Sequence, residues 1–150
     1  PDMFAEDAVI TSHTKRFDDF ARKVMPFVLK NCATSGCHAE NSQARWRLRT
    51  GRRMSANVLY TNYLIMHQFE LNNERVINRD LPGMSTVLRY SLPPDEIGLE
   101  NPTNHPFAIE PPCKDKTDKD YVAILAWIES LNIPTPDYGI SLKKQAHRRK

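Results

Sequence analysis

The segment Asn31-Cys32-Ala33-Thr34-Ser35-Gly36-Cys37-His38 sets two thiols within six residues and follows the second directly with an imidazole. Two cysteines with a histidine immediately after the second are the residue set that attaches a c-type haem. Each thiol adds across one vinyl group of the ring, and the imidazole of the next residue is then held beneath the iron. The spacing here is C-x4-C-H, two residues longer than the usual C-x2-C-H, so the extra residues must bulge away from the ring edge. Gly36 is best able to take the dihedrals of such a bulge, and small Ala33 and Ser35 obstruct it little. Cys32 and Cys37 are thus the expected thioether anchors of one haem c, and His38 the expected iron ligand on one face.

Three other chemistries use the same residue types. Cys32 and Cys37 could pair as a disulfide, or join Cys113 and His105 around zinc, whose preferred ligands are Cys and His. No second paired Cys/His cluster supports the zinc site. A Cys/His nucleophile pair needs the two side chains to face each other, which adjacent residues rarely do.

The second face of a haem iron is filled by Met or His, or left open, and Met with His raises the reduction potential relative to two imidazoles. The candidates are His105, Met84, Met66, His67, Met54 and Cys113. His105 ranks first, because Pro102 and Pro106 stiffen its loop and lower the entropy cost of holding the ring at the iron. Met84 ranks second, in Leu81-Pro82-Gly83-Met84, a Pro-Gly-Met loop resembling the distal methionine loop of class I cytochromes. Met66 and His67 point about 100° apart on a helix, so at most one of them could face the ring. Trp46, Phe27, Tyr63, Leu88, Phe107 and Trp127 are expected to exclude water from the ring, a role close to ordinary core packing. Arg45, Arg47, Arg49, Arg52 and Arg53 could pair with the haem carboxylates or form a solvated basic face.

Helices must hold these groups. Phe17, Phe20, Ala21, Val24 and Val28 recur at three- and four-residue steps from Thr14 onward, giving a helix with one apolar stripe. Pro26 should kink or restart it one turn before Cys32. Val58 to Leu71 reads as a buried helix, apolar on more than one side. A short helix is expected over Gly83 to Tyr90, and the prolines after it make residues 91–116 a long ordered loop of the kind that commonly carries function. The last helix opens on Thr117 with Asp120 as a capping pair. It carries Tyr121, Ile124, Leu125, Ile128 and Leu131 on one face, flanked by Trp127, and ends at Pro134. The expected fold class is all-α: residues 1–13 an arm, 14–136 one haem domain with long proline-rich loops, and 137–150 a basic mobile tail.

With 150 residues the chain buries one core of ordinary size. Apolar residues at 40% and charged residues at 26%, with no apolar run near 18 residues, exclude a membrane span and argue against wholesale disorder. The net charge of +3 is a weak case for nucleic acid: Lys143, Lys144, Arg148, Arg149 and Lys150 all lie in the last eight residues, and the rest carries −2. No basic region followed by an apolar run opens the chain, so no leader is read in it.

Three blocks together resemble the planctomycete-type cytochrome c domains, bacterial relatives of class I cytochromes c. They are Phe17 through His38, with Pro26 and C-A-T-S-G-C-H; Ser85-Thr86-Val87-Leu88-Arg89-Tyr90-Ser91-Leu92; and Asp120-Tyr121 through Trp127-Ile128. The resemblance covers roughly residues 17–132. It implies a cytochrome c-like helical domain wrapped round one haem, a last helix packed across the first, and a loop histidine at the position of His105. The glycine run that often follows that histidine is replaced by Pro106 and Phe107. The expected role is electron transfer rather than catalysis, with a redox protein or neighbouring domain as partner, no nucleic acid and no membrane span. The alternative is a haem enzyme or gas sensor with an open or labile distal site. Because bacteria attach haem c outside the cytoplasm, the expected location is periplasmic or otherwise extracytoplasmic.

Overall fold

The computed structural model describes residues 15–34, 36–51, 53–97 and 109–133. It is mostly helical, as expected, with one two-stranded hairpin that the all-α reading omitted. Within the described residues no helix is long and apolar enough to cross a membrane. The arm of residues 1–13, the tail of residues 137–150, and His105 and Phe107 fall outside the described residues.

The first helix is one rod in three registers: α1 (Lys15–Asp19), a π-helical turn (Phe20–Val24) and α2 (Met25–Asn31). The cause is Pro26, in the first turn of α2. Without an amide proton it cannot continue the ladder, and its ring crowds the carbonyl four residues back. The chain widens by one residue instead, and the Met25 N–H donates to the Phe20 carbonyl five residues earlier. The expected restart before Cys32 takes this form.

The second long helix, α3 (Ala56–Gln68), is capped by Ser55, whose hydroxyl accepts from the Val58 N–H. It ends three residues before the expected Leu71. Phe69 leaves the helix, and Glu70–Leu71 (β1) pairs antiparallel with Glu74–Arg75 (β2). Asn72 and Asn73 join the strands at φ 51° and 63°, the left-handed pair that a two-residue turn requires and that asparagine tolerates. α3 is also less buried than its composition suggested: only Asn62 and Met66 are enclosed, and Tyr60 is exposed.

The helix expected over 83–90 is split at Ser85 into a 3-10 turn (Pro82–Met84) and α4 (Thr86–Arg89). The buried Ser85 hydroxyl accepts from the Asn78 N–H at 2.9 Å, which ties this corner to the chain leaving the hairpin. The described part of the proline-rich stretch holds a helical turn, α5 (Pro94–Ile97), that was not expected. The cap of α6 (Lys119–Ser130) is Asp118 rather than Thr117: the Asp118 carboxylate accepts from the Asp120 N–H at 3.0 Å, while Thr117 is held by Asp115. A carboxylate at the N-cap also meets the favourable end of the helix dipole.

One core unites these elements, with Phe20, Val24, Val28, Leu88, Ile124 and Ile128 fully buried. α6 packs across the first helix, as expected. Phe20 meets Trp127 at 5.2 Å and Tyr63 at 5.6 Å between ring centres, and the Trp127 indole N–H donates to the Arg16 carbonyl at 2.9 Å. Trp127 is therefore a core residue rather than a flank. At the C-terminal end of α6 the Arg79 guanidinium donates to the Leu131 carbonyl at 2.7 Å, and that of Arg16 to the Ile133 carbonyl. Two cations thus meet the negative end of the helix dipole.

His67 carries a predictable pH dependence. Its Nε2 is buried, with no hydrogen-bond partner among the described residues, beside the Tyr63 ring. Burial, then the positive charges of Arg79 and Arg75, hold its pKa below 6.5. The unfolded chain therefore binds this proton more readily, and stability falls as pH drops through about 6.5, levelling off below the folded-state pKa. Urea midpoints at neutral and mildly acidic pH should show this loss, and His67→Gln should remove most of it.

Candidate functional site

Cys32 caps α2, its N–H donating to the Val28 carbonyl, and the chain then leaves the helix to form the loop that ends at His38. The loop is closed across its neck: the His38 N–H donates to the Cys32 carbonyl at 2.9 Å, and the Cys37 N–H to the Thr34 carbonyl at 3.0 Å. The chain therefore returns to Cys32 where Cys37 and His38 are needed. Gly36 takes φ +82° with open space where a side chain would stand, so the strained conformation falls on the residue that tolerates it.

His38 is oriented from the far side. Its Nδ1 lies 3.0 Å from the Trp46 carbonyl. A carbonyl only accepts, so Nδ1 carries the proton and Nε2 the lone pair, the tautomer a metal-binding imidazole needs. The Trp46 indole stacks on the imidazole, 3.8 Å between centres and 19° between planes. The Leu48 N–H donates to the His38 carbonyl at 2.8 Å. The segment 45–49 thus fixes both backbone and ring of His38.

That segment is itself pinned by a residue the sequence did not single out. The Asn62 side chain, fully buried on α3, accepts from the Arg49 N–H at 2.8 Å and donates to the Arg49 carbonyl at 3.0 Å. It satisfies both backbone groups as a neighbouring strand would. Asn62→Leu should leave both unpaired and cost about 1–3 kcal/mol for each group. Urea denaturation measures the loss, and the His38 ring resonances should broaden as the segment loosens.

Cys32 and Cys113 are not poised as nucleophiles. Burial first, then the neighbouring thiols Cys37 and Cys113, push the Cys32 pKa up to about 12. Burial, then the Asp118 and Asp120 carboxylates, raise that of the fully buried Cys113 to about 11. A catalytic cysteine needs the opposite shift. Cys32, Cys37 and Cys113 are all free of disulfides. Among the described residues no three His, Cys, Asp or Glu side chains converge as a metal site, so a closed zinc tetrad would need residues outside that set.

The structure brings Cys32, Cys37, His38 and Trp46 together. Met84 stands apart, partly exposed in its 3-10 turn against α4 and α6. Met66 is fully enclosed in the core and Met54 half-buried. Phe27, Leu88 and Trp127 belong to the core, and Tyr63 packs against it. Beside Trp46 an open cleft of about 510 Å³ is floored by Leu48, Ile65 and Phe69 and edged by Arg45, Arg47 and Arg49.

Two thiols at the neck of one loop, followed by an imidazole held in the metal-binding tautomer, fit the chain's side of a haem c site. Comparison with protein-family models, curated proteins and solved structures returned no match to this chain.

Proposed function

We propose that this chain is a c-type cytochrome domain, carrying one haem on Cys32 and Cys37 with His38 as axial ligand, and that it transfers electrons. The observation that carries this reading is the His38 imidazole. Its Nδ1 proton is donated to a backbone carbonyl, its ring is stacked by Trp46, and it follows directly on the second thiol of a closed loop. Such outer contacts fix tautomer and ring orientation at metal sites. The packing of α6 across the first helix, through Phe20 and Trp127, supports a cytochrome c-like wrap.

When bound, the haem supplies a reversible one-electron change at its iron. The chain's own work is to anchor the ring edge, hold the imidazole and exclude water with its apolar core, and no proton need move. On the opposite face His105 is the proposed ligand, with Met84 as alternative. Haem c is attached outside the bacterial cytoplasm, so the proposed location is extracytoplasmic.

The test is extraction with acidified acetone of protein made in a host competent for haem attachment. Colour that stays with the precipitated chain supports the reading, and colour that passes into the solvent, or colourless protein, rejects it.

A further inference from the structure

From Arg45 to Arg49 the chain alternates. Trp46 and Leu48 turn inward, while Arg45, Arg47 and Arg49 are exposed along the edge of the cleft. Arg49 is paired with Glu40, the cleft's one carboxylate, which cancels both charges. Arg45 and Arg47 have no such partner within the described residues. Two uncompensated guanidiniums therefore flank Trp46, whose indole lies 3.8 Å from the His38 ring between centres. Guanidinium forks suit carboxylates, and exposed like charges beside a cleft steer an oppositely charged partner toward it.

We infer that this ribbon docks the carboxylate-rich surface of a redox protein, seated on Arg45 and Arg47 over Trp46. The inference rests on the electron-transfer reading, and it names the docking face and its charge. A partner seated there lies one aromatic ring from the axial imidazole. Nothing covalent is exchanged: reduced partner and oxidised domain become oxidised partner and reduced domain, with one electron passing and no proton.

The two tryptophans make the face separately observable. Trp46 is at the cleft, whereas the Trp127 indole is buried and donates to the Arg16 carbonyl. The experiment titrates the full-length protein with an octaglutamate peptide at low ionic strength, following both indole N–H resonances. The peptide should shift the Trp46 resonance, leave that of Trp127 in place, and lose affinity as salt is added. Arg45→Gln with Arg47→Gln should weaken binding about 5- to 10-fold. Lys116→Gln with Lys119→Gln, the same charge change on another exposed surface, should weaken it less than about 2-fold.

Equal weakening in the two double variants, or binding that leaves Trp46 unshifted, overturns the docking face. A fall in bound haem or a changed haem spectrum in the arginine variant also overturns it, by assigning the arginines to the haem carboxylates. Colourless wild-type protein sinks the haem reading itself, and the peptide titration still reports separately on the basic ribbon.

Discussion

Changing Cys32 and Cys37 together to serine should take the haem that survives denaturation from one per chain to none. Each thiol forms one thioether, so either single variant should still hold the ring by the remaining bond, at reduced yield. The double variant can retain haem only through His38 and packing contacts, which acid releases. Cys113→Ser should leave retention unchanged, because Cys113 is enclosed in the core, where its N–H donates to the Ser91 carbonyl. The loop's own hydrogen bonds are backbone to backbone and do not depend on the sulfurs. The denatured masses of the four variants therefore separate attachment from folding.

Phe20→Ala should lower the stability of the fold by about 3–5 kcal/mol, the range for emptying a fully enclosed aromatic site. Phe20 is completely buried in the π turn and faces three rings at once: Phe17 at 6.3 Å, Tyr63 at 5.6 Å and Trp127 at 5.2 Å. It joins the first helix, α3 and α6, and those backbones cannot close on the void without leaving their other contacts. Chemical denaturation with and without bound haem checks the number. The loss should appear in both forms, since the ring cluster is held by protein contacts alone. Val122→Ala, on the exposed side of α6, is the control and should change stability by less than about 0.5 kcal/mol.

What could be read from the sequence was local or periodic. The first helix, its interruption at Pro26 and the packing face of α6 follow from apolar spacing and from one residue that cannot donate a hydrogen bond. The Cys32–His38 loop is legible for the same reason, since its chemistry is set by residues adjacent in the chain, and a positive φ falls on Gly36, which tolerates it.

The hairpin escaped because its strands are two residues long, too short for alternation to register. Its one signal was the Asn72-Asn73 pair, which can take left-handed conformations at both turn positions. Asn62 escaped because an amide in an apolar helix reads as a solvent-facing position. Its task, clamping Arg49, joins residues far apart in sequence. The iron's second face is harder still, because that ligand is chosen by how a proline-rich loop folds back, and no spacing rule encodes this.

The most direct test of the central proposal is the intact mass of the acid-denatured wild-type chain, purified from a host competent for haem attachment. The account predicts the polypeptide mass plus one haem, since only thioether-bound haem survives unfolding in acid. The bare polypeptide mass would contradict it, returning Cys32, Cys37 and His38 to the zinc or disulfide chemistries open to the same residues.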